Sequence, residues 1–96
     1  MLKALYESTV ENRLKQLRSK VDELADQASH AEAYLQVEYH QWVSHLRFKQ
    51  ERATIHYDEL KNAKARQWGR FQESVENALF DLANSVDKTA LRFSYR

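Results

Sequence analysis

Along the second half of the chain apolar side chains recur in steps of three, four and four residues. The series is Leu46, Lys49, Ala53, Tyr57, Leu60, Lys64, Trp68, Phe71, Val75, Leu79, Leu82, Val86, Ala90 and Phe93, and only Lys49 and Lys64 interrupt its apolar character. Eleven residues over three turns is about 3.67 per turn, so the stripe stays nearly straight along an α-helix. Such a stripe is buried against another long surface: a partner helix, a second copy or a membrane face. The first forty residues keep a different period. Leu14, Leu17, Val21, Leu24, Ala28, Ala31 and Leu35 alternate steps of three and four, which is a heptad seam. The register then shifts through Tyr39 to Trp42, a stutter of the kind that locally unwinds a coiled coil.

Helix punctuation is sparse. Ser8 and Glu11 have the spacing of a capping box, which predicts a helix start near Ser8. Ser29 and Glu32 form a second such pair, but the heptad seam passes through it in phase and argues for an unbroken helix. Asn62 and Gly69 bracket the other candidate break, and the 11-residue phase also survives there. One helix over all 96 residues would be a rod about 144 Å long, burying its stripe only in an oligomer. The pattern therefore predicts an all-α hairpin or coiled coil in a single domain. A helix is expected over about 8–61, a turn at 61–67 and a second helix over about 66–94.

Composition sharpens this. One glycine and no proline leave little turn chemistry, which excludes a many-stranded fold and points to an elongated shape with few reversals. Without cysteine there is no disulfide framework and no thiolate chemistry, which suits a reducing cytoplasm. No secretory leader is recognisable at the start, and no apolar run approaches the ~20 residues of a membrane span. Net charge is +1, but it is laid out in blocks. Residues 1–20 carry five basic and two acidic groups, and 21–40 carry five acidic groups and no basic ones. Residues 41–70 carry seven basic and three acidic groups, and 71–96 carry three and four. Adjacent blocks of opposite sign favour an antiparallel or folded-back arrangement over parallel stacking of identical chains.

Candidate chemistry is thin. The four histidines, His30, His40, His45 and His56, lack the three- or four-residue spacing that puts two rings on one helical face, so no metal site is expected. No glycine-rich turn is present to hold a phosphate or present a nucleophile, so neither a cofactor site nor catalysis is expected. Nucleic-acid binding by the basic 41–70 block is disfavoured by the acidic block beside it.

Two stretches resemble one family. Ala31-Glu-Ala-Tyr-Leu-Gln-Val-Glu-Tyr39 is followed by Leu60-Lys-Asn-Ala63, then Trp68, Phe71, Val75-Glu76 and Ala78-Leu79, and finally Arg92-Phe93. This order is similar to that of small bacterial coiled-coil proteins, some of them labelled stress-response proteins. Here Lys64-Ala-Arg-Gln67 stands where that family often has a Ser-Gly turn, and Leu79 where a second Trp is common. The resemblance implies a helical, oligomeric, cytoplasmic protein and brings no catalytic residues.

The functional expectation is a non-enzymatic helical module that self-associates as a homo-oligomer or docks a helical partner. Its interface is expected to comprise Leu14, Leu17, Val21, Leu24, Leu35, Trp42, Leu46, Tyr57, Leu60, Trp68, Phe71, Val75, Leu79, Leu82, Val86 and Phe93. The alternative is peripheral membrane binding through an amphipathic helix over 65–96. Phe80 and Leu91 widen its apolar face, and Arg66, Arg70, Lys88, Arg92 and Arg96 lie on or beside the polar one.

Overall fold

A computed structural model describes residues 2–94. It is all-α, with α1 over Leu2–His30, α2 over Ala33–Lys61 and α3 over Trp68–Ser94, the last preceded by one 3₁₀ turn at Ala65–Gln67. The helices lie side by side in an antiparallel bundle measuring 51 × 18 × 16 Å. Arg47 on α2 meets Asp22 on α1, and Tyr57 meets Glu11, so these two helices run in opposite directions. Tyr6 meets Trp68, and Arg13 meets Glu76, so α3 runs parallel to α1.

Two sequence expectations on helix boundaries need correction. The expected helix over 8–61 is interrupted at Ala31–Glu32, and α1 starts well before Ser8. Glu32 is extended (φ −58°, ψ 146°), which is enough to end the helical hydrogen-bond ladder without a glycine. The Gln36 amide then donates to the carbonyls of Ser29 and Ala31 (3.3 and 2.8 Å), pairing groups that the end of α1 leaves open. Neither Ser8–Glu11 nor Ser29–Glu32 acts as a capping box. Ser29 bonds back to the Ala25 carbonyl, and Glu11 accepts from Tyr57. At the second reversal the Asn62 side-chain amide donates to the Asp58 carbonyl (3.0 Å), and Lys64 supplies the extended residue. Among the described residues no backbone φ is positive, so both reversals are built from ordinary conformations.

The core is one continuous column. Val10, Leu14, Val21, Leu24 and Ala28 of α1 pack with Leu35, Tyr39, Val43, Leu46, Ala53, Tyr57 and Leu60 of α2. Val75, Leu79, Leu82, Val86 and Phe93 of α3 complete it. Each fully buried Leu or Val contributes about 1.5–3 kcal/mol of transfer free energy, offset by the entropy of ordering the chain.

Candidate interaction faces and an end cavity

The side chains expected at an intermolecular interface sit inside the chain's own bundle. Leu14, Val21, Leu24, Leu35, Leu46, Tyr57, Leu60, Val75, Leu79, Leu82, Val86 and Phe93 are buried, and Leu17, Trp42, Trp68 and Phe71 pack half-buried against them. The folded-back copy that the stripe requires is thus another part of the same chain. The charge blocks meet in the same way: Asp22–Arg47 (2.8 Å) joins α1 to α2, Lys49–Asp81 (2.9 Å) joins α2 to α3, and Arg13–Glu76 (3.0 Å) joins α1 to α3. Lys49, one of the two polar residues in the stripe, also donates to Ser85 Oγ (2.8 Å). It bridges the seam with its charged end at the surface.

Three tyrosines reach into the bundle, with different outcomes. Tyr6 donates to the Glu76 carboxylate, which Arg13 also holds. Burial, the bond to Glu76 and that carboxylate's charge push the Tyr6 phenol well above its ordinary range. Burial, the bond to Glu11 (2.5 Å) and the charge there do the same to Tyr57. Burial alone would raise Glu76, but the Tyr6 and Arg13 bonds outweigh it and hold its carboxyl below the ordinary glutamate range. Tyr39 is only 4% exposed, and its hydroxyl has no hydrogen-bond partner among the described residues.

The Tyr39 ring stacks on Phe93 (centroids 4.1 Å apart) and on Trp42 (5.8 Å), and the Arg92 guanidinium covers the other aromatic surface at 4.7 Å from the Trp42 centroid. This cluster adjoins a half-open cavity of about 710 Å³ between the end of α1, the start of α2 and the end of α3. Its lining combines apolar residues, among them Leu24, Leu35, Val86 and Phe93, with the titratable Lys20, Glu23, His30, Glu32 and Asp87.

The outer surface of α2 carries a second apolar stripe, which the richer inner one masks in the sequence. Tyr34, Val37, Gln41, Ser44, Phe48, Glu51 and Ile55 alternate steps of three and four residues. Tyr34, Val37, Phe48 and Ile55 are each between 50 and 74% exposed. Of the large apolar side chains on the face expected over 65–96, Phe80 and Leu91 are the exposed ones among the described residues, and Tyr95 and Arg96 lie outside them. The histidines do not converge, and among the described residues no three His, Asp or Glu side chains are placed to hold a metal ion. No helix of the described chain is long and apolar enough to cross a membrane. No family model, curated protein or solved structure matches the chain.

Proposed function

We propose that this chain is a non-enzymatic interaction module that self-associates through the outer face of α2. The observation that carries the reading is the second heptad stripe, left uncovered after the first has been buried within the bundle. Four large apolar side chains at seam spacing on one exposed helix form a docking surface of the coiled-coil kind.

Its charge pattern favours a second copy running antiparallel. Glu38 and Arg52 lie equally far to either side of His45, and His40 and the seam residue Glu51 are centred between His45 and Leu46. Val37 and Ile55 are centred on Leu46. A two-fold axis near His45 would therefore set Glu38 against Arg52 of the second copy, His40 against Glu51 and Val37 against Ile55, each of them twice. A two-fold contact needs such a self-complementary patch. Glu38, Glu51 and Arg52 take no part in any ion pair among the described residues, so these charges are available. One helix pair buries less than the ~800 Å² per partner of a standard interface, so the dimer is weak and concentration-dependent.

Sedimentation equilibrium tests this. A monomer–dimer equilibrium is expected for the native chain, and Phe48→Glu should abolish it without loss of helical circular dichroism. Glu38→Arg alone should weaken the dimer by placing two arginines together, and Glu38→Arg with Arg52→Glu should restore it. A chain that stays monomeric at millimolar concentration overturns self-association. Failure of the double exchange to rescue overturns the antiparallel register.

A further inference from the structure

The two ends of the bundle differ in charge. Tyr6 packs against Trp68, which sets the first turn of α1 beside the reversal between α2 and α3. This end presents Lys3, Lys61, Lys64, Arg66 and Arg70, all exposed, and neither residues 2–5 nor 61–70 include a carboxylate side chain. Lys61 pairs with Asp58 (3.8 Å), whereas Lys3, Lys64, Arg66 and Arg70 take no part in any ion pair among the described residues. The nearest acidic residues along the chain, Glu7, Asp58, Glu59 and Glu73, lie further down the helices. Of these, Asp58 faces Lys61 and Glu59 faces His56. The opposite end, where α1 passes into α2, carries Glu23, Asp26, Glu32 and Asp87. Charge is thus separated along the 51 Å axis.

Two leucines stand among the cations. Leu2 is 81% and Leu5 66% exposed, three residues apart and so on one face of α1. A nucleic-acid backbone would engage the cations and leave the leucines in water. An anionic lipid surface uses both, because headgroups attract Lys and Arg while apolar side chains enter the boundary between headgroups and acyl chains.

We propose that the end of the bundle formed by residues 2–5 and 61–70 docks on an anionic lipid surface, with Leu2 and Leu5 inserted and the acidic end held away. This differs from an α3 lying flat on a membrane, because the apolar stripe of α3 is buried in the core. Two leucines insert little apolar area, so the cations supply most of the attraction and added salt weakens it.

Flotation on vesicles of phosphatidylglycerol mixed equally with phosphatidylcholine should recover the native chain, and phosphatidylcholine alone should not. Lys64→Glu with Arg66→Glu should weaken binding at least about tenfold, since each basic residue near an anionic surface is worth about fivefold. Lys20→Glu with Lys88→Glu makes the same change in net charge away from this end and should retain most of the binding. All four positions are exposed, so the helical spectrum and melting temperature should hold in both variants. Leu2→Ser with Leu5→Ser should weaken vesicle binding about fivefold or more and leave adsorption to a short DNA duplex unchanged. Equal flotation on neutral vesicles, equal loss in the two charge-reversed variants, or full binding without the leucines overturns the proposal. A duplex bound more tightly than the vesicles overturns it in favour of nucleic acid. An antiparallel α2 pair points its two basic ends in opposite directions, so Phe48→Glu should float as the native chain does. The dimer test and the lipid test can therefore fail separately.

Discussion

Glu76 shows how a residue on the polar side of a helix acquires a structural role from its neighbours. Its spacing on α3 marks it only as a carboxylate beside the apolar stripe. In the bundle it accepts from Tyr6 and from Arg13 Nη1, the latter at 3.0 and 3.1 Å to its two oxygens. Because its folded-state pKa lies below the unfolded value, its stabilising contribution is complete above the ordinary glutamate range and is lost as pH falls through the lowered value. The two tyrosines act at the other end of the scale. Their folded-state values are raised, so their contribution is present below the ordinary 10.0 and fades as the unfolded chain begins to lose phenolic protons above it. Urea midpoints should therefore fall on acidification from neutral pH towards about pH 3, with a shallower fall in Glu76→Gln. They should fall again towards about pH 11, with a shallower fall in Tyr6→Phe or Tyr57→Phe than in the native chain. Equal slopes in variant and native protein would show that these hydrogen bonds do not couple to folding. None of these pairings is visible in the sequence, since each joins residues far apart in the chain.

The helices themselves were largely legible, and their ends were not. Hydrophobic periodicity marks the inner face of each helix because burial is set by the 3.6-residue turn. Continuity of that phase predicts continuity of helix, and at Ala31–Glu32 the prediction fails. Each helix of a bundle buries its own inner face, so phase on one side of a reversal carries no information about phase on the other. Sparse turn residues likewise predict few sharp reversals, yet both reversals are made without glycine, each containing one extended residue, Glu32 or Lys64. Gly69 lies inside α3 with no positive φ, and a Cβ built there meets nothing within 4 Å. Its flexibility serves neither a turn nor a close approach. Gly69→Ala should stabilise the protein by about 0.5–1 kcal/mol through helix propensity and a less disordered unfolded chain. Urea denaturation followed at 222 nm checks this, and a destabilised variant would mean that the start of α3 needs the glycine.

At the scale of the whole molecule, the single chain closes its own core. Leu79 and Leu82 are fully buried between helices of the same chain. A charge there would break the bundle and could not simply separate subunits. Leu79→Ala should cost about 2–5 kcal/mol, a large part of the stability of a domain this size. Leu79→Asp should abolish cooperative thermal unfolding by circular dichroism. A variant that kept its helical signal and lost only mass in solution would restore the intermolecular reading of the stripe. The self-association proposed above is assigned to the outer stripe of α2, whose 3–4 spacing is present in the sequence beneath a stronger pattern. The end cavity had no such trace: Leu24, Leu35, Tyr39 and Phe93 each read as ordinary seam residues, and only the arrangement of three helix ends leaves space among them.

By itself the sequence determined that the protein is helical and which faces are apolar, and its charge blocks favoured a folded-back arrangement. These are local or additive properties, fixed by side-chain spacing and by the sign of charge along the chain. The tertiary structure decided how many times the chain turns, that the stripe is covered from within, which tyrosines are satisfied and what remains outside. Those depend on which segments meet in space, and a periodic pattern that any long apolar surface could cover does not specify its own partner.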